Sequence, residues 1–129
     1  MAENNFSIQI YVESRYKLDR KRIKQTVEHV LKQKGITGPT EVSIAIVGSR
    51  KMRTLNNTYR NIDKATNVLS FSQMEGEATV MPDSTLILGD VIVCYPVAVE
   101  DAARDNMLVD RKISELVEHG LLHLLGEHH

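Results

Sequence analysis

Four of the chain's five histidines lie within its last eleven residues, and this cluster constrains the fold more than any other feature. His119 and His123 are four residues apart, so on an α-helix they leave the same face and their imidazoles can converge on one ion. Gly126 can end that helix in a left-handed conformation, and the resulting turn can carry His129 back toward them. Three neutral imidazoles leave a fourth position open, which is typical of catalytic zinc. The sequence therefore predicts a metal site formed by His119, His123 and His129.

The spacing of these histidines and of Gly126 is that of the metzincin proteases. Those enzymes carry Glu directly after the first His as general base, whereas Gly120 occupies that place here. Glu118 precedes His119 and points about 100° away around the helix. The ligand pattern is thus that of a peptidase, but the general base is missing.

Two other interpretations of the histidines stay open at this point. A pair of histidines four residues apart is by itself a weak signal, because such side chains are often solvated or hydrogen-bonded. His128 and His129 could also be the start of a purification tag. The position of Gly126 favours the metal site over both.

Composition predicts one cytoplasmic domain spanning residues 1–129. Cys94 is the single cysteine and stands in an apolar run, so a disulfide framework is excluded and a buried thiol in a reducing compartment is expected. The first six residues have neither a basic nor an apolar region, and no apolar run approaches the ~18 residues of a spanning helix. We therefore expect no signal peptide and no contact with a membrane.

The charge is divided unevenly along the chain. Residues 1–64 hold 13 basic against 6 acidic side chains, a net +7, and residues 65–129 hold 3 against 11, a net −8. A basic face in the first half could contact the phosphates of a polyanion, although charge alone favours a merely well-solvated helix. The basic side chains of this face are Arg15, Lys17, Arg20, Lys21, Arg22, Lys24, Lys32 and Lys34.

Hydrophobic periodicity predicts strands and helices in alternation. Strands are predicted at residues 6–12, 40–47, 68–71 and 86–93, and helices at about 20–34, 49–59, 96–105 and 110–124. The segment 72–84 lacks periodicity and is predicted to be a loop. This order predicts an α+β fold, with a mixed, mostly parallel four-stranded sheet that carries helices on its faces and a zincin-like metal-site helix.

Individual residues refine this prediction. Asp19, Asp110 and the pair Gly48-Ser49 are expected to cap three of the helices. Asp90 interrupts a strongly apolar strand, so its carboxylate must find a partner or lie at the strand's end. The last helix is expected to bury one apolar stripe, which consists of Ile113, Leu116, Val117, Leu121 and Leu124.

Three sequence blocks resemble those of the YbeY endoribonucleases, bacterial rRNA maturation factors. The first block is LNNTYR at 55–60, continued by Asp63, Thr66 and VLSF at 68–71; the second is LGDVI at 88–92; the third is HGLLHLLG at 119–126, closed by His129. The chain departs from the family's usual residues at four positions. It has Asn67 and His128 in place of Asp, and Ala65 and Ser72 in place of Pro.

The resemblance implies a function and assigns roles to residues. His119, His123 and His129 would bind one zinc ion or another divalent transition metal, and Arg60 would join His119 and His123 as catalytic residues. The implied activity is hydrolysis of single-stranded RNA in rRNA maturation, notably at the 3′ end of the small-subunit RNA, and in ribosome quality control. The implied partners are rRNA precursors and a ribosomal subunit, with no DNA.

Chemistry supports this reading and leaves alternatives open. Zinc held by three imidazoles lowers the pKa of its water to about 7, which would account for Gly120 in place of a base. Arg60 presents a planar fork matched to phosphate oxygens, although it could be a surface ion pair. The nucleophile could instead be the RNA 2′-hydroxyl. A zinc metallopeptidase and a non-catalytic assembly factor with a structural metal are the rival functions.

The low aromatic content bears on RNA recognition. The chain has four Tyr, two Phe and no Trp, so few side chains are available to stack on bases. We therefore expect weak sequence preference and a strong dependence of binding on salt.

Overall fold

Nine elements follow one another in the computed structural model, which describes residues 5–13, 15–72, 79–80 and 85–126. The predicted third ligand His129 lies outside these residues, as does His128. The strands are β1 (Phe6–Val12), β2 (Thr40–Val47), β3 (Val68–Ser72), β4 (Thr79–Val80) and β5 (Leu86–Cys94). The helices are α1 (Arg20–Gln33), α2 (Ser49–Arg60), α3 (Tyr95–Arg104) and α4 (Val109–Leu124).

The four longer strands form a mixed sheet in the order β1-β2-β5-β3. β1 pairs with β2 and β2 with β5 in parallel, whereas β3 is antiparallel to β5 and lies at the edge. The predicted α+β fold with a mixed, mostly parallel sheet of four strands is thereby confirmed. One addition was not predicted: β4 continues the edge beyond β3 by pairing with the start of β5.

The larger core lies on the sheet face that α1 and α4 cover. Alternation along β2 points Val42, Ile44 and Ile46 to this face. The predicted stripe of α4 is buried there in full, which confirms that prediction. The other buried residues of this core include Ile23, Val27, Val30, Leu31, Leu88, Val91 and Val93.

The opposite sheet face carries a smaller core beneath α2. Val47, Met52, Leu69 and Cys94 are buried here, and Cys94 is a free thiol as predicted. Burial raises the pKa of the Cys94 thiol, which suits packing rather than nucleophilic chemistry. Helices therefore cover both faces, but the second face is covered less completely.

Helix starts agree only partly with the sequence. Asp19 caps α1 as predicted, and its side chain accepts a hydrogen bond from the Arg22 N–H at 3.1 Å. The prediction for Asp110 was wrong, because Leu108 is the N-cap of α4 and Asp110 lies in the first turn. The Asp110 carboxylate instead accepts from the Asp19 N–H at 3.2 Å and so ties the starts of α1 and α4 together. None of the helices in the described ranges has the length and apolar character to cross a membrane.

A bulge in β5 turns Asp90 toward the α2 side. The register between β2 and β5 shifts so that Glu41 pairs with Ile87 but Val42 pairs with Gly89. Gly89 has φ +130°, and a Cβ there would clash with the Phe71 carbonyl oxygen. Only glycine fits this position, because both the backbone conformation and the close approach of β3 exclude a side chain.

Candidate active site at the edge of the sheet

His119 and His123 occupy successive turns of α4 with their rings side by side. The ring centroids are 5.1 Å apart and the ring planes differ by 34°. A zinc–nitrogen distance of 2.0–2.1 Å with tetrahedral angles requires imidazole centroids about 5 Å apart. The spacing of the two rings therefore fits two ligands of one tetrahedral ion.

α4 ends where the sequence predicted. Its C-cap is Leu125, and Gly126 follows with a left-handed φ of +88°. The Gly126 N–H donates to the His123 carbonyl at 3.0 Å and closes the last turn. α4 thus ends within three residues of His123, and the position predicted for His129 lies outside the described residues.

Gly120 has a packing role that the sequence did not reveal. It is buried against β5, and a Cβ at this position would lie 2.6 and 3.1 Å from the two Cγ atoms of Val91. α4 can approach the sheet this closely only because residue 120 has no side chain. A glutamate between the two turns that carry His119 and His123 would be excluded sterically. The explanation of Gly120 by mechanism alone was therefore incomplete.

Glu118 does not replace the missing general base. It is half-buried and lines a groove between α1 and α4, together with Arg22 and Arg111. That groove shares no lining residue with the surroundings of His119 and His123. The helix geometry that turns Glu118 away from the histidines was correctly read from the sequence.

Arg60 is the last residue of α2 and is exposed. The helix stops there because Asn61 adopts a left-handed conformation with φ 58°. Asn56 is buried in the preceding turn, and its side-chain Nδ2 donates to the Lys64 carbonyl at 2.9 Å. This bond fixes the loop that leads from Arg60 to β3, so the arginine is held beside the edge strand.

Arg60, His119 and His123 line one cavity of about 180 Å³, which we call the histidine cavity. Arg60 reaches it from α2 and the histidines from α4, so elements on opposite sheet faces meet across β3. Its other walls are Asn67, residues 68–70 and Gly120. Among the residues that the structure describes, no group of three His, Cys, Asp or Glu side chains could hold a metal. The roles predicted for the three residues stay predictions.

Asn67 was noted in the sequence only as a departure from the family's usual Asp, but it has a defined partner. Its side-chain Nδ2 donates to the buried Asp101 carboxylate at 3.1 Å. Asp101 also pairs with Arg104 at 3.2 Å. An Asp at position 67 would bring two carboxylates together, so the amide suits this environment.

A second cavity of about 560 Å³ opens on the α2 side of β3, and we call it the α2-side cavity. Its walls include Leu55, Tyr59, Arg60, Ser70, Phe71 and Asp90. The sequence had flagged Asp90 as an unusual carboxylate, but gave no signal that Tyr59 and Phe71 would lie beside it. This cavity and the histidine cavity share Arg60 and Ser70.

Asp90 lies in the middle of β5 and is half-buried. Its neighbours in register are Ser43 on β2 and Phe71 on β3. Burial raises the pKa of the Asp90 carboxyl, and a hydrogen bond with the Ser43 side chain opposes the shift. The predicted need for a partner is thus met by a hydroxyl.

Comparison with known proteins assigns the chain to a family of nucleases. The profile of the family described as Endoribonuclease YbeY matches residues 8–129. A curated Endoribonuclease YbeY of Roseiflexus sp. is 34% identical, covering 99% of this chain and 81% of the relative. That of Desulforamulus reducens is 37% identical, covering 98% and 81%. The chain therefore belongs to the YbeY endoribonuclease family.

A solved structure agrees with this assignment. The solution structure of TM1509 from Thermotoga maritima is 29% identical and has a TM-score of 0.62. The similarity covers 95% of this chain and 74% of that protein. The match thus extends to the fold over nearly the whole chain, beyond the three sequence blocks, which all lie after residue 54.

Proposed function

We propose that this protein is a metal-dependent endoribonuclease that cleaves single-stranded RNA in the histidine cavity. Its substrates are ribosomal RNA precursors, notably the 3′ end of the small-subunit RNA, and it acts in the cytoplasm in contact with a ribosomal subunit. The observation that carries the proposal is the meeting of Arg60 with His119 and His123 in one cavity. Family membership supports the endoribonuclease activity.

His119, His123 and His129 would hold one zinc ion. The donor chemistry supports this, because neutral imidazole is a preferred zinc ligand and the two rings of α4 have the required spacing. Gly126 gives the chain the turn that a third ligand six residues after His123 needs. When bound, the metal supplies Lewis-acid chemistry that makes a nucleophile available near neutral pH.

Arg60 binds and orients the scissile phosphate. Its guanidinium is always charged and can donate two parallel hydrogen bonds to phosphate oxygens. Because the guanidinium is rigid and planar, these donors stabilise the additional negative charge of the transition state. Gly120 and Val91 hold α4 against the sheet, so the histidines face the same space as Arg60.

The experiment follows cleavage of an end-labelled single-stranded RNA with and without chelator, and again after zinc is restored. Arg60→Ala and His123→Ala are each expected to lower the cleavage rate by about 100-fold or more. Arg50→Ala on α2 and His29→Ala on α1 are matched controls, since both residues are exposed and line other surfaces. Calorimetric zinc titration should show one site that His123→Ala weakens and Arg60→Ala retains.

Other outcomes would assign another function. Chelator-sensitive cleavage of an unstructured peptide, with RNA untouched, would establish a peptidase. Ribosome binding that needs His123 without RNA cleavage would establish an assembly factor with a structural metal. Products that end in a 2′,3′-cyclic phosphate would identify the RNA 2′-hydroxyl as nucleophile.

A further inference from the structure

The α2-side cavity has three kinds of group that recognise a nucleobase. Its volume of about 560 Å³ is ample for a base, and it opens beside Arg60. Two aromatic residues, two serines and one aspartate line it together. These groups are not needed for phosphate chemistry, so the cavity calls for a separate explanation.

Two aromatic rings, those of Tyr59 and Phe71, line one wall of the cavity, and the Tyr59 ring is exposed rather than buried in a hydrophobic core. The rings of Tyr59 and Phe71 have centroids 5.1 Å apart and planes inclined at 57°. Tyr59 lies at the end of α2 and is 64% exposed, so the surface of its large ring is in contact with water. A base that stacked on this ring would cover it, which is the usual way in which unpaired bases bind to proteins.

Asp90 lines the same cavity from β5, beside its register partner Phe71 on β3. Within the residues that the structure describes, the ion pairs do not include Asp90. An ionised carboxylate accepts two hydrogen bonds, and guanine presents two adjacent N–H donors on its Watson–Crick edge. Uracil presents one N–H flanked by two carbonyl oxygens, which a carboxylate repels.

We propose that the α2-side cavity binds the base of the nucleotide next to the scissile phosphate, and that it prefers guanine. This rests on the proposed function, since the shared wall of Arg60 and Ser70 joins the cavity to the phosphate site. Tyr59 stacks on the base and Asp90 accepts from its edge. A paired base cannot enter, which gives a physical reason for preference for single strands. One base position would then be selective, in contrast to the weak preference expected from the low aromatic content.

The test uses oligoadenylate RNA that carries a single guanine or a single uracil. Binding is measured by fluorescence anisotropy with chelator, and cleavage is measured separately with zinc. Tyr59→Ala should weaken binding of both RNAs about tenfold, while Tyr59→Phe retains it. Asp90→Asn should abolish a preference for guanine of about tenfold. Tyr11→Ala and Glu100→Gln are controls that should change nothing, because both residues are exposed and Tyr11 lies on β1 at the far edge.

The two proposals fail in different ways. Unchanged binding in Tyr59→Ala, or an unchanged preference in Asp90→Asn, overturns the base site even if RNA is cleaved. Binding with the expected dependence on both residues, but without cleavage in zinc, supports the base site and overturns the nuclease assignment. Because Tyr59 is highly exposed, its variants should fold normally, and the test therefore does not depend on Asp90→Asn alone.

Discussion

The two faces of the sheet differ in how completely they are covered. On the face under α1 and α4, sixteen apolar residues in the part of the chain that the structure describes form one buried cluster. On the face under α2, the buried cluster has four residues, and β5 places Asp90 beside an open cavity. The first face thus provides most of the stability, and the second leaves polar groups accessible. The edge strand β3 is where both faces contribute to one site.

The largest expected effect compares one buried side chain from each face. Leu121→Ala should lower the free energy of unfolding by about 3–5 kcal/mol, because α1, α4 and the sheet enclose the void on all sides. Met52→Ala should cost about 2–3 kcal/mol, since the smaller cluster can relax into the space beside it. Urea unfolding of both variants checks the order. Equal losses, or a larger loss for Met52, would break the comparison.

Gly89→Ala should destabilise the protein by about 3 kcal/mol, because the new Cβ meets the Phe71 carbonyl and Ser72 Cα in β3. Gly35→Ala is the matched control: its φ is +76°, but a Cβ there meets nothing within 4 Å. The control isolates the cost of left-handed backbone, about 1 kcal/mol. Similar losses at both positions in thermal unfolding would show that β3 does not approach Gly89 as described.

Gly120→Ala has two opposing effects on stability, a steric clash that destabilises the protein and a higher helix propensity that stabilises it. Contact with Val91 should cost about 1–3 kcal/mol, and the gain from alanine in a helix offsets about 1 kcal/mol of it. A net loss is expected, and Val91→Ala in the same chain should reduce the cost of the glycine substitution. If Gly120→Ala stabilises the protein in urea, the close approach of α4 to β5 is refuted.

The smallest effect concerns two carboxyls whose pKa values shift in opposite directions. Burial raises the pKa of the Asp90 carboxyl in the folded protein above its ordinary value of 3.8. The stability that this carboxyl contributes is therefore fully present below pH 3.8 and is lost as the pH rises through the pKa of the folded state. Asp90→Asn should therefore gain stability relative to the parent as pH rises from about 3.5 to 7.

Asp105 provides the opposite sign. Hydrogen bonds from Lys112 and Arg104 lower the pKa of the Asp105 carboxyl below its ordinary value of 3.8. The stability that this carboxyl contributes is therefore present above pH 3.8 and is lost as the pH falls through the pKa of the folded state. Asp105→Asn should lose stability relative to the parent as pH rises. Urea unfolding at a series of pH values checks both slopes, and parallel slopes would contradict the assignment.

The sequence predicted what depends on local patterns. Four such features follow from neighbours along the chain, and the structure confirms them: the alternation in β2, the apolar stripe of α4, the helix cap at Asp19 and the left-handed conformation of Gly126. The meeting of Arg60 with the histidines came from the family resemblance, because no local pattern brings residues about sixty positions apart together.

What the sequence missed depends on contacts between distant segments. The packing of Gly120 on Val91 becomes visible only once α4 lies on β5. Asp110 looks like a helix cap in sequence, but the start of α1 supplies its partner and Leu108 becomes the N-cap. The pairing of Tyr59 with Phe71 across α2 and β3 likewise has no local sign.

The most direct test of the site is a double-mutant cycle with Arg60→Ala and His123→Ala, read as the rate of single-stranded RNA cleavage. Residues that act on one phosphate as a unit are strongly non-additive, so the double variant should be about as slow as the slower single variant. Effects that multiply, with folding intact in every variant, would mean that Arg60 and His123 work independently. That result would contradict a single catalytic site across β3.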